Sequence, residues 1–147
     1  MVSKYEAIDI PKINNLGNKL NPDFSKLFHI DNLNSNEEIL IYKDDKKIIG
    51  FIHYQINYEI ADILNIYVEK SYRNCGKASI LLESMIKNLT PKVTKIMLEV
   101  NSNNIEAIKF YQKKNFKEIH RRKNYYKDGD GIIMEMYIWK KMFTYWP

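Results

Sequence analysis

The chain has 147 residues, of which 45% are hydrophobic and 28% charged, and its formal net charge is +5. This length is typical of one ordinary domain, and the apolar content is enough for a folded core, which excludes a disordered or fibrous protein. The modest positive charge suits an anionic ligand, an acidic substrate or a nucleic acid, and equally a charge that only maintains solubility.

Cysteine content and the N-terminal sequence indicate the compartment. Cys75 is the single cysteine, so no intramolecular disulfide can form, and a reducing compartment is favoured. The first residues, MVSKYEAIDI, lack the apolar segment of a secretory signal. No run approaches the about 20 apolar residues that a membrane span needs. The sequence therefore predicts a cytoplasmic protein without membrane contact.

The N-terminal part predicts one short strand and two helices. Residues 3–8 alternate weakly, as in a strand. Apolar residues recur at helical spacing over 11–20 and again over 22–33, and each segment has a proline near its start. Gly17 is expected to weaken the first helix. The second helix is expected to carry its apolar stripe on Phe24, Leu27, Phe28 and Leu33.

Three strand-like runs follow, at residues 38–43, 48–56 and 60–69. Short polar turns at 44–47 and 57–59 separate them, which predicts an antiparallel meander. The third run is continuously apolar near its end. This predicts a central strand that is covered on both faces.

The remaining sequence alternates between helical and strand-like patterns. It predicts, in chain order, helix 77–89, strand 93–100, helix 103–115, strand 116–126, a turn with an Asp-Gly pair at 127–130, and strand 131–142. Because a helix separates strands 60–69 and 93–100, these strands are expected to be parallel neighbours with a right-handed connection. The order β-α-α-β-β-β-α-β-α-β-β predicts an α+β fold, with a mixed sheet flanked by helices, as a single domain over residues 1–147.

The segment VEKSYRNCGKASILL, residues 68–82, leads from a strand into a helix that has no Ser, Thr or Asp at its cap near Gly76. The first turn of a helix carries unpaired N–H groups and a partial positive charge, and small residues let a phosphate approach the backbone. Gly76 and Ala78 supply the small positions, and Arg73 and Lys77 add charge. The pattern predicts a phosphate-binding loop. The alternative is an ordinary helix start capped by water.

Four segments, in matching order, resemble the GNAT acyltransferase superfamily and, within it, the ribosomal-protein alanine N-acetyltransferases. RNCGKA (73–78) fits the acyl-CoA signature Arg/Gln-x-x-Gly-x-Gly/Ala, and residues 63–73 fit the strand before it. Residues 98–116 fit a strand ending in Glu, a helix opening with Asn, and a Tyr on that helix. Residues 121–136 fit an Arg-rich, double-Tyr strand and final hairpin. The resemblance spans residues 62–137, about half of the chain.

The resemblance implies that acetyl-CoA is the acyl donor. Its pyrophosphate would be held by the side chain of Arg73 and by the backbone of Asn74, Cys75, Gly76, Lys77, Ala78 and Ser79. The main chain of Ile66, Tyr67 and Val68 would pair with the pantetheine arm, and Asn104 would hydrogen-bond the pantetheine amides. The alternatives are that Ile66, Tyr67 and Val68 only pack in the core and that Asn104 only caps a helix.

The resemblance also implies two catalytic residues. Glu99 would act as general base on the acceptor amine, through water, and the Tyr111 phenol would protonate or hydrogen-bond the CoA sulfur. A backbone N–H near Val68 would polarise the thioester carbonyl. The alternatives are a surface carboxylate at Glu99 and a packing tyrosine at position 111.

The expected acceptor is the N-terminal alanine of a ribosomal protein. An α-amine has an ordinary pKa near 8 and lysine one near 10.4, so the neutral amine at pH 7 costs roughly 1.4 and 4.6 kcal/mol respectively. A single carboxylate base therefore favours an N-terminal amine. The segment with Arg121, Arg122, Tyr125 and Tyr126 is expected to wall the peptide groove, and the alternative is a solvated basic strand.

Three other functions stay open. The same fold could acetylate a small amine such as a polyamine or aminoglycoside, although the basic, tyrosine-rich segment 121–126 favours a peptide. A CoA-binding regulator without catalysis is disfavoured by the presence of both Glu99 and Tyr111. A nucleic-acid-binding module agrees with the charge, but the sequence contains no known binding motif, so direct nucleic-acid binding is not expected.

No metal is expected, because His29, His53 and His120 lack the spacing of a ligand set and no Cys/His cluster exists. Cys75 is interpreted as a loop residue that lends its N–H rather than as a nucleophile, because direct acetyl transfer needs none. The protein is expected to be a monomer or a weak dimer.

Overall fold

A computed structural model describes residues 1–138. In this part of the chain the helices and strands follow the predicted order. They are β1 (Val2–Lys4), α1 (Ile10–Leu20), α2 (Phe24–Leu27), β2 (Glu37–Asp44), β3 (Lys47–Asn57), β4 (Ile60–Val68), α3 (Lys77–Asn88), β5 (Lys95–Asn101), α4 (Ile105–Lys113), β6 (Lys117–Tyr126) and β7 (Gly129–Tyr137).

The strands form one mixed sheet in the order β1-β2-β3-β4-β5-β7-β6. Four helices accompany it in the described residues. The predicted fold class, α+β with a mixed sheet flanked by helices, is confirmed. The chain divides into two compact units, residues 1–55 with 64–89, and residues 56–63 with the described residues from Thr90 onward. That residues 1–147 form a single domain stays a prediction.

The first hairpin has the turn that its sequence predicts. β2 and β3 pair antiparallel, and Asp44 faces Lys47 across the turn. Asp45 and Lys46 between them both have left-handed backbone, with φ of 47° and 68°. Positive φ at both central residues matches the twist of the flanking strands, which is why two-residue turns of this kind connect hairpins.

β4 and β5 are the parallel pair that the intervening helix predicts. Residues 60–62 of β4 pair in parallel with residues 95–97 of β5. Along β4, fully buried residues alternate with half-buried ones. The predicted central position of this strand is confirmed, because three strands lie on each side of it in the sheet, but one of its faces is covered only in part, so the predicted cover of both faces is wrong.

Two predictions in the N-terminal part are also wrong. The predicted strand 3–8 ends at Lys4, and a single 3-10 turn occupies Ala7–Asp9. The predicted helix 22–33 is only one turn, α2, because the backbone of Phe28 is extended, with φ −118° and ψ 112°. The apolar residues that suggested this helix do not share one buried face, because Phe24 is fully buried whereas Leu27 is 60% exposed.

Gly17 has a packing role rather than the weakening one expected. A Cβ added there would collide with the ring of Phe24. Phe24 belongs to the core cluster of the first unit, together with Ile13, Leu16 and Phe51. The glycine therefore lets α1 and α2 approach closely, and this gain offsets its low helix propensity.

The core of the first unit contains one buried histidine. His53 is fully buried, with Nε2 3.0 Å from Glu37 Oε1 and Nδ1 3.1 Å from the side-chain nitrogen of Asn65. Because the Asn65 amide nitrogen can only donate, Nδ1 accepts, and Nε2 carries the proton and donates to Glu37. Burial lowers the pKa of His53, although Glu37 acts in the opposite direction.

Helix α3 buries an apolar face that does not include Ile80 near its start. Leu81, Leu82 and Met85 are buried, while Ile80 is 38% exposed. The last hairpin also differs in detail. Tyr126 pairs with Gly129, so the turn is Lys127–Asp128 and the Asp-Gly pair is not at its centre. Residues 139–142 of the predicted last strand lie outside the described residues.

No helix in residues 1–138 combines the length and the apolar character that a bilayer crossing requires.

Candidate active site

The loop before α3 begins the helix with a left-handed glycine. Gly76 is the N-cap of α3 and has φ 76°, and Asn74 also has positive φ, 63°. Because its N-cap is a glycine, the helix has no side-chain cap of its own. A Cβ added at Gly76 would meet no described atom within 4 Å. The first turn of α3 therefore offers N–H groups beside open space, as an anion site requires.

Two basic side chains fasten this loop to the strands beside it. Arg73 donates from Nε to the Val68 carbonyl at 2.8 Å and lies over the Tyr67 ring, 5.3 Å from its centroid. Lys77 donates to the Tyr42 hydroxyl at 3.1 Å. These contacts give both residues a local role in holding the loop. Their predicted attraction for a pyrophosphate stays a prediction.

The end of β4 and the N-terminus of α4 each show the alternative role considered for them. Tyr67 and Val68 are 8% and 7% exposed, so their side chains pack in the core, and Ile66 is half-buried. Asn104 caps α4, because its Oδ1 accepts a hydrogen bond from the Ala107 N–H at 3.2 Å. Neither finding tests the predicted contacts with pantetheine.

Tyr111 is a buried phenol on α4. It is 5% exposed, and its ring makes edge contacts with Phe110 and Phe116 at centroid distances of 5.2 and 5.3 Å. Burial raises the pKa of Tyr111. The hydroxyl therefore stays protonated at neutral pH, which a proton donor requires.

Glu99 lies in β5 in a partly enclosed position. Its side chain is 25% exposed, yet Oε2 is buried and accepts no hydrogen bond from residues 1–138. Strand β7 runs past it, and a Cβ added at Gly131 would collide with Oε2. Arg122 Nε is 3.5 Å from the same oxygen. A buried carboxylate oxygen without a donor is unusual, and such an atom is often part of a functional site.

The arginines and tyrosines of β6 differ in their partners. Arg121 pairs with Glu118 at 3.2 Å and with Asp130 at 3.4 Å, and is thus held on the hairpin. Arg122 lies over the Tyr125 ring, 5.2 Å from its centroid. Tyr126 packs edge-on against Tyr125, and its pKa is raised by burial and by the charge of Glu99.

The structure gathers the predicted residues into two groups, one in each unit. The first unit holds the strand end and the loop, from Ile66 to Ser79. The second holds Glu99, Asn104 and Tyr111, and it brings Arg122 and Tyr126 to Glu99. Cys75 is exposed, and the described residues contain no group of three metal-binding side chains.

Gly131 is the residue that sequence reasoning missed. It faces Arg122 on β6 and covers the Glu99 carboxylate without a side chain. A glycine within a strand signals the close approach of another group, and this signal was present in the sequence DGDG.

Comparison with known proteins agrees with these features. The model of the acetyltransferase (GNAT) family matches residues 7–116. The chain belongs to the GNAT acetyltransferase family. The [ribosomal protein bS18]-alanine N-acetyltransferase of Escherichia coli is 30% identical, over 92% of this chain and 95% of that protein.

Solved structures agree in fold. The crystal structure of the ribosomal-protein-S18-alanine N-acetyltransferase from Escherichia coli has a TM-score of 0.83 and 29% identity, and covers 94% of this chain and 93% of that one. A GNAT family acetyltransferase from Elizabethkingia anophelis, with acetyl-CoA bound, has a TM-score of 0.80 and 22% identity over 94% of this chain and 97% of that one. Members of this family use acetyl-CoA.

Proposed function

We propose that this acetyltransferase moves the acetyl group of acetyl-CoA directly to the N-terminal α-amine of a ribosomal protein that begins with alanine, in the cytoplasm. The relatives named for that reaction support the proposal, at about 30% identity over most of the chain. The observation that carries it is the buried Glu99 Oε2, because a carboxylate oxygen without a donor is suited to receive the N–H of an amine.

The donor is assigned to the loop and strand end of the first unit. The left-handed Gly76 and the open space beside it admit a phosphate to the first turn of α3. We assign the pyrophosphate to Arg73 and to the backbone of residues 74–79, and the pantetheine arm to the main chain of residues 66–68. Asn104 can cap α4 with its oxygen and still donate from its nitrogen to a pantetheine amide.

The chemistry is assigned to the second unit. The neutral amine attacks the thioester carbonyl, so that a C–N bond forms and the C–S bond breaks. Glu99 receives the proton that the amine loses and releases it to solvent, and the Tyr111 phenol donates a hydrogen bond to the departing sulfur, whose thiolate then takes a proton from solvent. Burial raises the pKa of that phenol, so it keeps its proton and can donate this hydrogen bond.

One assay tests the proposal. Purified protein is incubated with acetyl-CoA and a panel of peptides that differ in the first residue, alongside polyamines and an aminoglycoside, and thiol release is followed. Peptides with N-terminal alanine are expected to react fastest, and their N-acetylated forms should not react. Acetylation of small amines alone would overturn the assignment of the acceptor.

A further inference from the structure

Among the described residues, Glu99 Oε2 has a cation beside it but no hydrogen-bond donor. Arg122 Nε is 3.5 Å away, within ion-pair range, yet it does not donate to the oxygen. The two side chains are exposed to different extents, with the carboxylate at 25% and the guanidinium at 50%. The more buried partner is therefore the one that lacks a donor within residues 1–138, and the more exposed partner borders solvent.

The surroundings of Arg122 differ from those of Arg121. Its guanidinium lies over the Tyr125 ring, 5.2 Å from the centroid, and that ring is itself 52% exposed. Arg121, its neighbour, is held by two carboxylates, Glu118 and Asp130. Arg122 thus has a second contact, with an aromatic face, that does not involve Glu99.

An amine suits this oxygen better than a guanidinium. Gly131 of β7 lies so close to Oε2 that a side chain there would collide with it, and the Tyr125 ring borders the same position, so the space beside the oxygen is narrow. A primary ammonium is a compact charge with three rotatable donors, whereas a guanidinium is a wide, rigid fork. Both are cations, so they cannot occupy the same position beside Glu99.

We propose that Arg122 occupies the position of the acceptor's ammonium at Glu99 and that the acceptor displaces it on binding. This inference rests on the proposed function, because it takes Glu99 as the group that receives the amine. Arg122 is then a positioning residue that competes with the acceptor and is not part of the chemistry.

The test compares Arg122→Gln with Lys117→Gln, which removes the same charge from the same strand. An exposed ion pair contributes little, so the KM for an Ala-initiated peptide should fall by about two- to fivefold in Arg122→Gln, with kcat within about twofold of wild type. Lys117→Gln should leave both values unchanged. If Arg122→Gln is unstable, Arg122→Met, which keeps the apolar stem near Tyr125, should give the same shift.

A binding measurement isolates the ammonium. In calorimetry, Arg122→Gln should bind the free-amine peptide more tightly than wild type, with no gain for the N-acetylated peptide. Equal gains for both peptides, or a higher KM in the variant, would overturn the inference. If wild type acetylates the peptide and Arg122→Gln leaves KM unchanged, this inference alone fails. If wild type neither binds nor acetylates any peptide, the proposed function is wrong, and this inference, which rests on it, is wrong as well.

Discussion

The loop at residues 73–79 and the carboxylate of Glu99 differ in what surrounds them. At the loop, Gly76 leaves open space beside the start of α3. At Glu99, a strand, an arginine and a tyrosine close around one oxygen. A site made from the backbone of one loop is contiguous in sequence. It is suited to bind a charged group such as a phosphate, whatever the side chains of the loop are. A site made from residues of three strands can be tuned for one proton transfer.

This contrast predicts that substitutions at Glu99 affect turnover and leave the donor's affinity unchanged. Glu99→Gln keeps the shape of the side chain and removes the base, so kcat should fall about 10²- to 10⁴-fold. The dissociation constant of acetyl-CoA, measured by calorimetry, should stay within about twofold of wild type. A variant that retains more than a tenth of wild-type kcat would remove Glu99 from the chemistry.

The opposite result is expected at Gly76. Gly76→Trp should weaken acetyl-CoA binding by about 100-fold or more, because an indole would fill the space beside the first turn of α3 and φ 76° disfavours any side chain. Gly76→Ala is the matched control: it bears the same backbone strain without the bulk, and it should bind more tightly than the Trp variant. Unchanged binding in Gly76→Trp would rule out the pyrophosphate assignment.

Tyr111→Phe sharpens the comparison within the second unit. It removes only the hydroxyl and keeps the ring against Phe110 and Phe116, so the fold should be preserved. Since a thiol has an ordinary pKa near 8.5, its thiolate leaves with little help, and kcat should fall only about tenfold. Stopped-flow measurement of thiol release would show this step slowed, and an unaltered rate would assign Tyr111 to packing alone.

The smallest effect concerns the buried histidine of the unit that carries the loop. Burial lowers the pKa of His53 below its ordinary value of 6.5. Between the two pKa values, the histidine is therefore protonated in the unfolded state and neutral in the folded state. Its contribution to stability is full above about pH 6.5 and is lost as the pH falls through the lowered folded pKa, by at most about 1.4 kcal/mol per pH unit.

Urea unfolding at pH 7.5 and 5.5 checks this expectation. The free energy of unfolding should depend less on pH in His53→Gln than in wild type. His120→Gln, at an exposed position, should keep the wild-type dependence. Equal pH dependence in wild type and His53→Gln would show that this histidine titrates alike in both states.

Local patterns predicted most elements of the fold and misjudged those that depend on packing. The turn at Asp45 and Lys46 and the cap at Asn104 are decided by neighbours in sequence; the sequence predicts the turn and offers the cap as an alternative for Asn104. The prediction of a helix at 22–33 was wrong. Phe24 and Phe28 have helical spacing in the sequence, but the extended backbone of Phe28 ends α2, so the two residues do not lie in the same helix. Gly17 was misjudged because the ring that requires a glycine belongs to another helix.

By itself the sequence determined the order of the elements and the small-residue loop before α3, because each depends on a short stretch of chain. Only the tertiary structure decided that Arg122 lies beside Glu99, and that Gly131 covers the same oxygen. These residues are separated along the chain and meet through strand pairing, because the register of β5, β7 and β6 fixes which side chains become neighbours.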